Sequence, residues 1–219
     1  MFPVSDVIPS RTTPFVTVGL IVLNALVFLY ELQLPRAELQ LFTFLSGVVP
    51  ARFDPLTLVT SMFVHGGWLH LLGNMLYLWI FGDNVEDRLG HFGFVIFYLA
   101  CGTAAALGQM AVSLDSTVPM VGASGAIAGV MGAYLVLYPH SRVLTIVFLL
   151  FFMDMVEIPA IFFLGIWFIK EVFSGVGSLG TASMSGGVAF WAHVAGFATG
   201  ALVGLFRRLK EATERYRWD

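Results

Sequence analysis

Long apolar segments constrain this chain more than any other feature. A helix that crosses a bilayer needs roughly 20 predominantly apolar residues, and six segments have this character. They lie near residues 14–34, 68–81, 92–112, 124–138, 159–174 and 188–206. Only 11% of the residues are charged, against about 25% in soluble domains. The sequence therefore predicts an all-α membrane protein, with a single domain of six transmembrane helices over residues 1–219.

The stretch from Val143 to Val156 does not fit this pattern. It is too short to cross a bilayer comfortably, and Asp154, Glu157 and Pro159 interrupt the apolar run that follows it. We expect this stretch to be interfacial or re-entrant. The alternative, in which it forms part of a span, would give seven crossings instead of six.

Charge placement favours six spans in a multi-pass protein of the cell membrane. Five basic residues follow the last apolar segment: Arg207, Arg208, Lys210, Arg215 and Arg217. Because cytoplasmic loops are enriched in lysine and arginine, we expect the C-terminus to be cytoplasmic. Six spans then place the N-terminus, with Arg11, on the same side. No transit peptide is evident and the termini are short, which favours a bacterial inner membrane.

Two connections between the segments have unusual composition. The external loop from Pro35 to Gly67 is long and apolar, so we expect it to lie partly in the outer leaflet. The loop from Gly175 to Gly187 is rich in glycine and serine and leads into the last segment. It is either a movable cap over an external opening or a simple flexible connector.

Charge and cysteine content exclude some functions. The net charge is -3 and the basic residues form no stripe, which argues against a nucleic-acid partner. Cys101 is the single cysteine in the sequence. The chain therefore forms no internal disulfide and no cysteine metal cluster.

Ser124 and His193 are the polar residues in apolar segments that most favour chemistry. Ser124 opens the fourth segment and His193 lies near the start of the sixth, so both are expected near the outer face. Polar groups inside a bilayer are costly and tend to be functional, and a hydroxyl beside an imidazole supplies a nucleophile and its base. Alternatively, the serine bonds only to its own backbone, as is common in such helices.

Glycine stripes on these two segments favour close packing of their helices. The fourth segment carries a stripe of Gly125, Gly129 and Gly132, and the sixth carries Gly196, Gly200 and Gly204. Small residues let transmembrane helices approach closely. We therefore predict that the two helices pack together and bring the serine and the histidine within reach.

The second segment adds candidate donors. His70 and Asn74 are four residues apart and share a helix face, and His65 precedes them. Such donors suit the developing negative oxygen of acyl transfer. A metal site is the less favoured alternative, because no carboxylate accompanies these residues, and Asn74 alone is compatible with a simple bond between helices. No acidic residue in the outer half of a predicted span stands out behind His193, so the sequence predicts a Ser-His dyad.

Together these motifs resemble the rhomboid family of intramembrane serine proteases. The matching elements are His65-x4-His70-x3-Asn74, Glu86-x-Arg88-Leu89-Gly90, Gly122-x-Ser124-Gly125 and Ala192-His193-x2-Gly196. Their order and their helix assignment agree with the family across nearly the whole chain. One departure is Ala128, where some members carry a tyrosine that stacks on the histidine. Another is the lack of a Trp-Arg pair near Arg52.

The resemblance implies a rhomboid-like membrane bundle that cleaves peptide bonds in or near the transmembrane segments of membrane-anchored proteins, with single-pass proteins as substrates and without cofactor or metal. Ser124 would be the nucleophile and His193 the general base. His70, Asn74 and the backbone N–H of Ser124 would form the oxyanion hole. Glu86 and Arg88 would be structural, and His65 would either be structural or help to order the active-site water. The alternatives are a catalytically inactive relative that escorts transmembrane clients and a small transporter. The sequence lacks the internal repeats and the charged midplane site typical of a transporter.

Overall fold

The computed structural model describes residues 2–149, 152–179 and 188–215, and helices dominate them. The helices are α1 (Phe15–Glu31), α2 (Arg36–Ser46), α3 (Thr57–Thr60), α4 (Trp68–Leu89), α5 (His91–Met110), α6 (Ser124–Leu137), α7 (Ala160–Ser178) and α8 (Phe190–Arg215). The strands are β1 (Phe2–Asp6), β2 (Arg142–Leu149) and β3 (Phe152–Pro159). Most of the predicted mobile loop, from residue 180 to 187, lies outside the described residues, as does Arg217.

Helices occupy all six predicted apolar segments. Among the described residues, α5 and α7 are long and apolar enough to cross a bilayer, while α1 and α6 are apolar but shorter. Two helices extend well beyond the apolar segments: α4 continues to Leu89 and α8 to Arg215. Their added turns are polar, because hydropathy marks the apolar core of a helix and does not mark its end.

The all-α prediction is wrong for the stretch from Val143 to Val156. This stretch forms most of an antiparallel hairpin of β2 and β3, and β1 pairs with the other edge of β2. Val143 and Thr145 are fully buried, whereas Arg142 between Ser141 and Val143 is exposed. This period of two and the β-branched residues are typical of a strand, and a reading by hydropathy alone missed them.

The predicted packing of α6 against α8 is confirmed. A methyl group added at Gly200 would overlap the carbonyl oxygen of Gly129, and one at Gly196 would overlap that of Gly125. Gly132 likewise lies against the Phe197 carbonyl. Backbones therefore touch along this interface, which is how helices associate where no hydrophobic force drives them together.

Glu86 fastens the start of α1 to the end of α4. Its buried carboxylate accepts hydrogen bonds from the backbone N–H groups of Val16 and Thr17, at 3.0 and 2.8 Å, and from the Thr17 hydroxyl at 2.7 Å. These amides belong to the first turn of α1 and have no partner within the helix. Arg88, two residues along, pairs with Glu211 of α8. These contacts agree with the structural roles that the resemblance implies for Glu86 and Arg88.

The bundle has two distinct ends. The strands, the start of α1 and the end of α8 lie at one, which we call the sheet end. The starts of α6 and α8 lie at the other, the serine end. The connection from Pro35 to Gly67 packs there: Val48 and Met120 exchange backbone hydrogen bonds of 3.0 and 2.8 Å. This bridge steadies the segment that leads into Ser124.

Candidate active site

The start of α6 presents Ser124 at the serine end. Gly122, two residues before it, has a φ of 119°, a left-handed conformation that glycine adopts without strain. Its N–H donates to the Ser61 carbonyl at 2.8 Å, which holds the turn in place. Since α6 begins at Ser124, the N–H of this residue is one of the four without a partner inside the helix.

The structure brings Ser124 and His193 into contact. The distance between Ser124 Oγ and His193 Nε2 is 2.8 Å, which is hydrogen-bonding distance. The glycine packing explains this pairing, because the contact of Gly125 with Gly196 lies one residue after the serine and three after the histidine. Backbone contacts between the two helices thus bring the hydroxyl and the imidazole together.

Glu171 of α7 also contacts His193, and the sequence analysis missed it. Its Oε2 lies 2.7 Å from His193 Nδ1, and the residue is only 3% exposed. The dyad prediction is therefore incomplete, because a carboxylate does stand behind the histidine. Glu171 also pairs with its neighbour Lys170, at 3.1 Å from Nζ to Oε1. That neighbouring lysine made Glu171 resemble half of a surface ion pair.

An aromatic ring stands beside His193. The ring of Trp167, one turn before Glu171 on α7, lies 5.9 Å from the imidazole between centroids, at an interplanar angle of 36°. Ala128 offers no ring there, as expected from its side chain. Trp167 thus supplies an aromatic neighbour from a different helix.

His70 packs on the glycine turn. The Gly66 N–H donates to His70 Nδ1 at 3.3 Å, which leaves the ring hydrogen on Nε2. A side chain at Gly122 would collide with Cε1 and Nε2 of this ring. The absence of a Cβ therefore allows His70 to approach the turn before Ser124 with its donor nitrogen.

Asn74 is held by His65. Its amide nitrogen donates to His65 Nε2 at 3.0 Å, and His65 Nδ1 faces the Phe63 carbonyl at 3.3 Å. The backbone N–H of His65 donates to Glu31 at 3.1 Å. One amide hydrogen of Asn74 remains for a ligand in the cavity. His65 thus has the structural role, which is one of the two that the resemblance implies.

These side chains line one cavity of about 730 Å³. Ser124, His193, His70 and Asn74 lie in its wall together with Ser61 and Tyr77, and most of the remaining wall is apolar. Cavities of this size and composition bind extended or small ligands. Among residues 2–149, 152–179 and 188–215, no three histidine, cysteine or acidic side chains are grouped as metal ligands.

Comparison with known proteins identifies the family. The model of the Rhomboid domain matches residues 52–210, which is most of the chain and includes every residue of the site. The chain belongs to the rhomboid family. Rhomboid proteins are membrane-embedded, so the chain is a membrane protein.

Individual rhomboid relatives are similar over parts of the chain. Rhomboid protein 1, mitochondrial, of Saccharomyces cerevisiae is 30% identical over 166 residues, which cover 74% of this chain and 44% of that protein. Rhomboid protease GluP of Bacillus subtilis is 42% identical over 78 residues, covering 36% of this chain and 15% of the relative. The mouse presenilin-associated rhomboid-like protein, mitochondrial, is 30% identical over 133 residues, with 60% and 35% covered. The chain therefore spans less than half the length of these curated relatives.

Proposed function

We propose that this rhomboid protein is an intramembrane serine endopeptidase. The observation that carries the proposal is the 2.8 Å hydrogen bond between Ser124 Oγ and His193 Nε2 at the wall of a cavity. A serine that bonded only to its own backbone would not need this imidazole. The name of GluP as a protease adds support from within the family.

In the first half of the reaction, Ser124 Oγ attacks the carbonyl carbon of the peptide bond. Its proton passes to His193 Nε2, and the carbonyl oxygen becomes an oxyanion. The tetrahedral intermediate then collapses: the C–N bond breaks, and His193 gives its proton to the leaving amine. The product is an ester of Ser124. Water hydrolyses this ester by the same steps, with His193 as base and then acid. Every proton passes between Ser124, His193, the leaving amine and water, so the reaction needs no cofactor or metal.

Three donors stabilise the oxyanion. They are the unpartnered N–H of Ser124, the Nε2–H of His70 and the second amide hydrogen of Asn74. All three residues line the same cavity. Donors held in place before the reaction stabilise charge as it develops, at no further cost of reorganisation. The backing of Asn74 by His65 serves this purpose.

The substrates are single-pass transmembrane proteins, cut at the serine end of the bundle. A helical substrate must unwind before attack, because its carbonyl carbon is hidden in the helix, so small or helix-breaking residues are preferred at the cut. Six helices cross the bilayer, and the connection before α4 lies partly in the outer leaflet. In support, Leu41 and Leu45 of α2 are 57% and 59% exposed. We place α7 at the side through which substrates enter.

The sheet end, with both termini, faces the cytoplasm. β1 lies at this end through its pairing with β2, and the pair of Arg88 with Glu211 brings the last turns of α8 there. The basic residues of the sheet end support this orientation. A bacterial inner membrane stays a prediction: GluP is bacterial, whereas other relatives are named mitochondrial or chloroplastic.

The test is cleavage of a panel of single-pass substrates in proteoliposomes. Wild type is expected to cleave, Ser124→Ala and His193→Ala to give no turnover, and Ser116→Ala, outside the cavity, to match wild type. Asn74→Ala should lower turnover by roughly 10–10³-fold, the scale of one oxyanion donor. Cleavage by Ser124→Ala at the wild-type rate would refute the proposal. A wild type that binds the panel without cutting it would support an escort protein instead.

A further inference from the structure

We propose that Glu171 is a positioning residue for His193, and that α7 must pack against α8 for the base to be complete. This inference rests on the proposed protease function and extends it. The carboxylate holds the imidazole in one tautomer and one orientation. Because it belongs to α7 while the nucleophile and base belong to α6 and α8, the active arrangement depends on the position of a third helix.

Both carboxylate oxygens of Glu171 are engaged. Oε2 faces His193 Nδ1 at 2.7 Å and Oε1 faces Lys170 Nζ at 3.1 Å. The Lys170 side chain is 68% exposed, whereas that of Glu171 is 4% exposed, so the lysine extends outward and the acid inward. Burying a carboxylate in a membrane helix is costly. The contact of this carboxylate with a ring nitrogen on another helix is a functional reason for its burial.

The proton positions follow from this contact. A carboxylate accepts hydrogen bonds, so His193 Nδ1 carries the hydrogen and Nε2 keeps its lone pair for the Ser124 hydroxyl. When Nε2 takes the proton, the imidazolium has an anion at 2.7 Å. Glu171 is not protonated in any step. The buried acid of Ser-His-Asp sites has the same role: it orients the imidazole and stabilises the imidazolium.

One strip of α7 contacts α8 around His193 and Trp191, and Phe168 beside it stacks on Phe197 of α8, with 4.5 Å between the ring centroids. Trp167, Glu171 and Gly175 recur every four residues, and all three reach α8. The indole Nε1 of Trp191 donates to the Gly175 carbonyl at 3.1 Å. Away from this strip, Ile166 and Phe173 are 63% and 74% exposed. Moving α7 outward would break the Glu171 contact while leaving Ser124 and His193 together.

The test compares Glu171→Gln, Glu171→Asp and Glu157→Gln with wild type, using one cleaved substrate. Glutamine keeps the shape and removes the charge, so we expect kcat to fall about 10²–10⁴-fold, the upper value being that of the equivalent change in a buried triad. KM should change little. The pH–rate profile should also change, because the charge beside His193 is lost. Glu171→Asp should recover part of kcat. Glu157→Gln, at an exposed ion pair, should match wild type.

Three results are decisive. If wild type cleaves and Glu171→Gln retains its kcat and pH profile, the dyad suffices and the inference is wrong. A Glu171→Gln variant with lower thermal stability, an unmoved pH profile and no rescue by aspartate would show a merely structural role and also overturn it. If wild type itself cleaves nothing, the proposed function fails before Glu171 is tested.

Discussion

The contacts of α8 with its two neighbours α6 and α7 differ in kind. Against α6, backbone meets backbone: a methyl group at Gly200 would overlap the carbonyl oxygen of Gly129. Against α7, side chains bridge the gap, chiefly Trp167 and Glu171 near His193 and the Trp191 indole near Gly175. The first interface has no room to adjust, whereas the second is held by a few separable contacts.

This difference separates two requirements of the proposed protease. The nucleophile and base need a distance that does not vary, and the glycine interface supplies it. A transmembrane substrate needs an entrance, and α7, which side chains hold against α8, is the helix that we expect to move aside. Close backbone contacts thus hold the serine and the histidine, whereas the carboxylate belongs to the helix that we expect to move.

The largest effect is expected when the glycine interface is widened. Gly200→Val places two methyl groups where the Gly129 carbonyl lies, so α6 and α8 must separate. Overpacking of this kind costs about 1–3 kcal/mol or more, and a 1 Å displacement of reacting groups can lower rates about 10²-fold. We expect Gly200→Val to unfold at a lower temperature than wild type in detergent. Its turnover should fall at least about 10²-fold.

Gly165→Ala is the matched control for this substitution. Nothing lies within 4 Å of a methyl group at Gly165 on α7, so stability and turnover should equal or slightly exceed those of wild type. Normal turnover in Gly200→Val would mean that the close backbone contact is dispensable.

A smaller effect is expected when α7 is loosened. Trp191→Phe removes the hydrogen bond to the Gly175 carbonyl and keeps most of the aromatic ring. Such a bond contributes about 1 kcal/mol net, so the fraction of molecules with α7 packed should fall by up to roughly fivefold. We expect kcat to fall by a similar factor. A loss as large as that of Gly200→Val would contradict the distinction between the two interfaces.

The smallest effect concerns the sheet end of α6, where Asp6 accepts a hydrogen bond from the Tyr134 hydroxyl at 2.6 Å. Burial raises the pKa of Asp6 to about 6, helped by nearby Asp83, although the Tyr134 bond opposes the rise. A raised carboxyl pKa means that the folded state holds the proton more tightly than the unfolded state. Protonated Asp6 therefore adds to the free energy of unfolding. This contribution is fully present below pH 4 and is lost as the pH rises through about 6.

We therefore expect the unfolding temperature of wild type to rise between pH 7 and pH 5 relative to that of Asp6→Asn. Asparagine keeps an oxygen for Tyr134 and does not titrate, while the other titrating groups are common to both proteins. Turnover at pH 7 should be nearly equal. Parallel unfolding temperatures across this range would show that the pKa of Asp6 is not raised to about 6 in the folded protein.

The helices and the Ser124–His193 contact could be predicted because their signals lie within single segments. Apolar length marks each helix, and glycine spacing marks the face that another helix approaches. The strands were missed because the period of two at Val143 and Thr145 lies within an apolar run, where hydropathy does not distinguish a strand from a helix. Glu171 was missed because the sequence does not show which face of α7 is turned toward α8. The adjacent Lys170 made the acid look like part of a surface ion pair.

The sequence by itself determined which reactive groups are present. They are a serine at a helix start, a histidine on a glycine-lined helix, and two donors four residues apart. These are properties of composition and spacing along one chain. Only the tertiary structure decided that Glu171 of a third helix joins Ser124 and His193. The physical reason is that a hydrogen bond between helices depends on their relative rotation and height, and packing of all the elements together sets both.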